Sequence, residues 1–207
     1  QFLKNINVTP SFNYTERWYT HRINQSWDET KGAVQRDTVY GFNRVYDYSF
    51  SVSANTKLYG FYQPSQLWIK LFGDKFIMAR HVFTPSVSYS MAPDFSAEKY
   101  GFYDTYTYTD EQGEVRTVQY SPFEGAMYGN ARKGKTGSIS LSVSNNLEMK
   151  IRTDKDTTGI KKLSVIDELG GSISYNMAAK TKPWSNLSTR TRIKLTKNYT
   201  FNLNATW

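Results

Sequence analysis

The sequence contains no cysteine and only two histidines, His21 and His81. The first absence removes disulfides, thiolate nucleophiles and cysteine-ligated metals. The two histidines are separated by 60 residues and lack any flanking ligand spacing, so neither a metal centre nor a histidine-based catalytic site is expected. Long apolar runs are missing as well. The longest is the four residues Phe76-Ile77-Met78-Ala79, far short of the roughly 20 that a transmembrane helix requires. No stretch has the basic, apolar and small-residue succession of a signal peptide, and the chain opens within what reads as a strand.

What is present is charge and aromatic mass. The 207 residues carry 26 Lys and Arg against 18 Asp and Glu, a net charge of +8 that suits an anionic partner such as nucleic acid, phospholipid headgroups or lipopolysaccharide. Tyr, Phe and Trp number 16, 12 and 5 in a chain that is hydrophilic on average. Such a chain must segregate its apolar residues by position, and it does so with a period of two. From Ser138 to Arg152 the odd positions are Ile139, Leu141, Val143, Asn145, Leu147, Met149 and Ile151, while the even ones are Ser, Asn, Glu, Lys and Arg. No helix has that period.

The same alternation gives seven expected strands, at about 2–22, 38–62, 76–91, 136–152, 161–178, 185–196 and 199–207. Several exceed fifteen residues, whereas strands of soluble domains usually have about five or six. Long two-faced strands suit an antiparallel transmembrane β-barrel, in which about 9–11 tilted residues cross the hydrocarbon, one face meeting lipid and the other the lumen. This all-β class predicts alternating connections. Segments 23–37, 92–135 and 179–184 fall on one side, and 63–75, 153–160 and 197–198 on the other. Barrels of this kind place their longer loops outside, so 92–135 is expected to be a long extracellular loop. Single-chain bacterial barrels have an even number of strands, at least eight. Residues 1–207 are therefore expected to be part of one larger barrel domain in the bacterial outer membrane, with the remainder of the barrel chain as a partner.

Several local patterns invite chemistry. Gly129-Asn130-Ala131-Arg132-Lys133-Gly134-Lys135-Thr136 matches GxxxxGK[ST] at each fixed position. A phosphate loop must follow a buried strand and open a helix. Here the motif follows a polar, aromatic segment and opens a strand, so it reads as a chance match in a basic loop, and no cofactor is expected. Asp110, Glu111 and Glu114 cluster at the turn of an expected hairpin, but their spacing fits no EF-hand. Six Asn-x-Ser/Thr triplets fall mostly in strands, where alternation produces them automatically.

Around the third strand the residues become specific: Ala79 to Phe95 read ARHVFTPSVSYSMAPDF. This segment resembles the barrel domain of LptD, the lipopolysaccharide-assembly family of the outer membrane, particularly its Bacteroidetes-type members. Asn55-Thr56-Lys57-Leu58-Tyr59-Gly60 and Ser144-Asn145-Asn146-Leu147-Glu148-Met149-Lys150 are similar to the family too, and the resemblance spans roughly 40–200. It implies a many-stranded barrel that takes lipopolysaccharide or lipooligosaccharide from a periplasmic jelly roll and releases it to the outer leaflet through a lateral opening. It also implies a plug lipoprotein resembling LptE, contact with outer-membrane lipid, and no nucleic-acid partner. The jelly roll, the lateral-gate strands and the family's disulfide cysteines have no counterpart in these residues, so no gate residue is carried over.

Beside the resemblance, physics assigns roles to a few residues. Pro85 removes a ladder donor within an alternating strand and is a candidate strand break. Arg80 shares the polar face with Thr84, Ser86, Ser88 and Ser90, while His81 falls on the apolar face. Arg190, Arg192 and Lys194 form a basic stripe opposite Leu187, Ile193 and Leu195. Arg80, Arg190, Arg192 and Lys194 are candidate lumen-facing contacts to an anionic lipid. The alternative is salt bridging within the wall, with Asp47, Glu148 or Glu168 as counter-ions. Trp18, Tyr40, Phe42, Trp184 and Trp207 lie near strand ends, where aromatic girdles belong. Two other functions fit the same pattern, a porin or solute-specific channel and a soluble all-β glycan-binding module. No nucleophile motif stands beside either histidine, and an enzyme is not expected.

Overall fold

The computed structural model describes residues 5–153, 159–194 and 199–207. Leu195, the 197–198 connection and most of the 153–160 connection lie outside these residues. The period-two segments form β1 (Ile6–Asp28), β2 (Ala33–Thr56), β3 (Leu58–Tyr62), β4 (Phe76–Ala92), β7 (Thr136–Arg152), β8 (Ile160–Asn176), β9 (Ser188–Lys194) and β10 (Thr200–Thr206). They make one eight-stranded antiparallel sheet of order β1-β2-β4-β7-β8-β9-β10, with β3 also paired to β4. Between β4 and β7 a hairpin of β5 (Asp104–Thr109) and β6 (Val115–Tyr120) forms a separate sheet. Its turn lies at residues 110–114, where Asp110 and Gly113 of the sequence placed it.

Three boundaries differ from the alternation, each for a local reason. Segment 38–62 is two strands, because the ladder breaks at Lys57 and β3 pairs with β4 from Leu58↔Phe83 to Tyr62↔Ala79. The 23–37 connection shrinks to a turn at residues 29–32, in which the Asp28 carboxylate accepts the Thr30 amide at 3.0 Å and Gly32 takes φ +59°. The 63–75 connection contains a helix, α1 (Gln66–Phe72), which starts after Pro64-Ser65 and ends where Gly73 donates its amide to the Ile69 carbonyl at 2.7 Å with φ +77°. Trp68 of α1 stacks on Phe76 at 5.3 Å and meets Tyr62 at 5.5 Å, which fixes the helix beside β3 and the start of β4.

The chain divides into two compact units, one of residues 1–10, 51–90 and 137–207 and the other of 11–50 and 91–136. In the second, Val45, Phe95, Phe102, Phe123 and Ala131 form a buried core, with Tyr19, Tyr46, Tyr48, Tyr100 and Tyr103 packed around it. Tyrosine serves here because its ring joins the core while its hydroxyl caps backbone that no ladder satisfies. Tyr19 Oη donates to the Gly129 carbonyl at 2.6 Å and Tyr103 Oη to that of Ala131 at 2.7 Å. Asn130 Nδ2 donates to the Phe102 carbonyl at 2.6 Å. Segment 92–135 is thus folded, sharing a core with Val45 and the tyrosines of β1 and β2 and adding a hydrogen-bond network of its own.

Candidate functional site

In the first unit the register sorts the side chains onto two faces. β7 and β8 pair Ile139↔Tyr175, Leu141↔Ile173 and Val143↔Gly171 on one face, and Ser140↔Ser174, Ser142↔Ser172 and Ser144↔Gly170 on the other. β9 and β10 continue the two surfaces, with Arg190↔Asn204 and Arg192↔Asn202 on the polar face and Thr191↔Leu203 and Ile193↔Phe201 on the apolar one. The apolar side chains are open to their surroundings: Leu141, Val143, Leu169, Phe201 and Leu203 each keep 42–54% of their surface exposed. A contiguous apolar surface of that kind needs a non-aqueous neighbour. His81, placed on this face by its parity, meets the side chain of Asn145 at 2.9 Å, so the polar interruption is satisfied internally.

The ladder between β7 and β8 shifts register between Asn145 and Glu148, with the extra residues on β8. The shift keeps Leu163, Ile166 and Leu169 opposite Met149, Leu147 and Asn145, although their spacing of three breaks the alternation. It also lets two consecutive carboxylates meet one guanidinium. Arg192 Nε lies 2.6 Å from Asp167 Oδ2, a close ion pair whose N–H is not aimed along the contact, and Nη2 lies 3.5 Å from Glu168 Oε2. Arg190 Nη1 reaches Glu168 Oε1 at 3.6 Å. Arg80 Nη2 donates to Glu148 Oε2 at 2.6 Å across β4 and β7. Among the described residues Lys194 has no ion-pair partner. Asp47, weighed as a counter-ion for the stripe, pairs instead with Arg17 at 2.6 Å in the second unit. The pairs of Arg80, Arg190 and Arg192 are one-quarter to two-thirds exposed, so each contributes about 1 kcal/mol or less to stability.

Pro85 does not break its strand. β4 runs unbroken from Phe76 to Ala92 through it, since proline's fixed φ lies within the β region and only its ladder donor is lost. A register shift does occur in β8, opposite Asn145 to Glu148.

The GxxxxGK[ST] look-alike opens β7, not a helix, and its anion is internal. Asp94 Oδ1 accepts the amides of Ser96 and Gly134 at 2.9 and 2.8 Å and the Ser96 hydroxyl at 2.6 Å. Gly134 takes φ +89°, which turns its N–H toward that carboxylate. The Ser96 hydroxyl, then the Gly134 and Ser96 amides, hold the Asp94 carboxyl below the usual aspartate range. A lowered folded value stabilises the unit above the unfolded pKa, about 4, and the contribution is lost as pH falls through the folded value. Proteolysis within 92–135 is accordingly expected to accelerate below about pH 4. Asp94→Asn, which keeps the Oδ1 acceptor but not the charge, should flatten that dependence; equal acid sensitivity in wild type and variant would show the carboxylate to be a bystander. Two of the three carboxylates at 110–114 are paired too, Asp110 with Arg116 at 2.7 Å and Glu114 with Arg116 at 2.8 Å. No cluster of metal-ligating side chains occurs among the described residues.

Antiparallel strands of 17 residues and more, with one exposed apolar face and one polar face of hydroxyls and ion pairs, define an outer-membrane β-barrel protein. A family model described as LptD protein matches residues 1–207, and the chain belongs to that family. The family acts in lipopolysaccharide transport and assembly at the outer membrane; it is a transport family, not an enzyme family. No curated protein and no solved structure matches the chain.

Proposed function

We propose that residues 1–207 form part of a single barrel wall that passes lipopolysaccharide, or lipooligosaccharide, into the outer leaflet. The observation that carries this reading is the family match over 1–207 on a sheet of this two-faced kind. The polar face supports it, because Arg80, Arg190 and Arg192 are held by carboxylates and still partly exposed, so they present fixed cations to a phosphorylated glycolipid. Lys194 adds a cation without a carboxylate partner among the described residues. A plug lipoprotein resembling LptE fits the same face of β7 and β8, where Ser140, Ser142, Ser144, Gly170, Ser172 and Ser174 leave the wall low and hydrogen-bonding. The remaining strands of the barrel would extend the order beyond β1 and β10.

Depleting the parent protein in its own cell tests the proposal. Lipopolysaccharide accessible at the surface is expected to fall while it accumulates at the inner membrane. Unchanged surface lipopolysaccharide with altered uptake of small solutes would move the protein to the porin or channel class.

A further inference from the structure

Charge is unevenly divided. By sequence the first unit has 16 Lys and Arg against 6 Asp and Glu, a balance of +10, whereas the second has 10 against 12, a balance of −2. One part of that excess lies where β7 ends and β8 begins. There Lys150 stands directly opposite Lys162, on the same face as Glu148 and Arg80. Directly opposed like charges destabilise a sheet pair. Among the described residues neither lysine meets a carboxylate, and Glu148 is engaged by Arg80 at 2.6 Å. The three cations and Glu148 line a cavity of about 150 Å³ together with Phe61, Met78 and Met149.

The local balance of three positive charges and one negative is +2, set beside an aromatic ring and two thioethers. We infer that this cavity binds a phosphomonoester dianion, with Lys150 and Lys162 on either side of the phosphate and Phe61 and Met78 against an apolar group attached to it. A dianion cancels the residual charge and relieves the repulsion across the ladder. Arg80, oriented by Glu148, donates from the third side. A phosphomonoester loses its second proton near pH 6, so occupancy rises with pH through that region. The inference deepens the transport reading and rests on it only for the natural source of the phosphate, a phosphorylated lipid headgroup; free phosphate has the same chemistry.

The test is calorimetric titration of the full-length protein in non-ionic detergent with dihexanoyl phosphatidate, inorganic phosphate and zwitterionic dihexanoyl phosphatidylcholine. Saturable binding of phosphatidate is expected at pH 7.5, weaker at pH 5.5, with none of phosphatidylcholine. Lys150→Gln/Lys162→Gln should weaken it at least about tenfold, while Lys150→Arg/Lys162→Arg should retain it, because two charge-assisted bonds are worth more than the ~1.4 kcal/mol of a tenfold change. Without ligand the glutamine variant should melt no lower than wild type, since it removes the opposed charges; this separates loss of a site from loss of fold. Phosphatidate binding well above inorganic phosphate assigns the lipid source, and equal affinity assigns free phosphate. Undiminished affinity in the glutamine variant, or no saturable binding of either phosphate probe, overturns the site. Those outcomes with surface lipopolysaccharide still lost on depletion would remove only this site, whereas intact binding with unchanged surface lipopolysaccharide would remove the transport reading instead.

Discussion

Val143→Arg in the full-length protein is expected to cost about 2–4 kcal/mol of stability in a bilayer, while Ser142→Arg, one residue earlier, is expected to be nearly neutral. The contrast follows from the register. Val143 lies opposite Gly171 on the apolar face, with Leu141 and Leu169 exposed beside it, and its own side chain is 42% exposed. A guanidinium there would face hydrocarbon, with no carboxylate among the described β7 and β8 residues on that face. Ser142 lies opposite Ser172 on the polar face, beside a cavity of about 410 Å³ that Glu168, Gly170, Ser188 and Arg190 help to line. An arginine at 142 has both room and a nearby carboxylate. Urea unfolding from phospholipid vesicles, followed by tryptophan fluorescence, reads the difference. Equal costs at the two positions would mean that the faces do not separate lipid from lumen. A larger cost at 142 would reverse them.

That test addresses what was most legible in the sequence. Alternation placed Leu141 and Val143 on one side and Ser142 and Ser144 on the other, and β7 begins and ends where the pattern does. Parity also set Arg80 and Glu148 on one face, which their 2.6 Å contact requires. What escaped the pattern has physical causes. A bulge is a local change of phase, so reading odd and even positions through Leu163 to Met177 put Asp167 on the apolar side, whereas the register shift brings it beside Glu168 at Arg192. The signal was present as the spacing of three between Leu163, Ile166 and Leu169, which no unbroken strand tolerates. The helix at Gln66–Phe72 was hidden because seven residues barely complete two turns and show little periodicity. The opposed Lys150 and Lys162 could not be found without the register, since they stand twelve positions apart in sequence.

Least legible was the fold of segment 92–135, and Phe95→Ala carries the largest expected effect there. Length and polarity marked this segment as a loop, but its aromatic residues had to be buried somewhere, and five of its nine, Phe95, Tyr100, Phe102, Tyr103 and Phe123, gather in or against the core of the second unit. The Phe95 ring is 1% exposed, with Tyr48 edge-on at 5.1 Å and Tyr100 tilted at 4.9 Å, and the Phe95 amide donates to the Arg132 carbonyl at 3.2 Å. Truncating a fully buried phenylalanine costs about 3–5 kcal/mol, to which the lost aromatic pairs add. A core of five buried residues has little stability in reserve, so the expected outcome is local opening of the second unit and not a uniform loss. Limited proteolysis of Phe95→Ala should therefore cut rapidly within 92–135 and leave β7 and β8 protected. Phe95→Leu, which keeps most of the volume, should fall between the variant and the wild type. Unchanged cleavage in Phe95→Ala would show that the hydrogen bonds of Asp94 and Asn130 hold the segment without its core. Accelerated cleavage in β7 and β8 as well would show that the two compact units unfold as one.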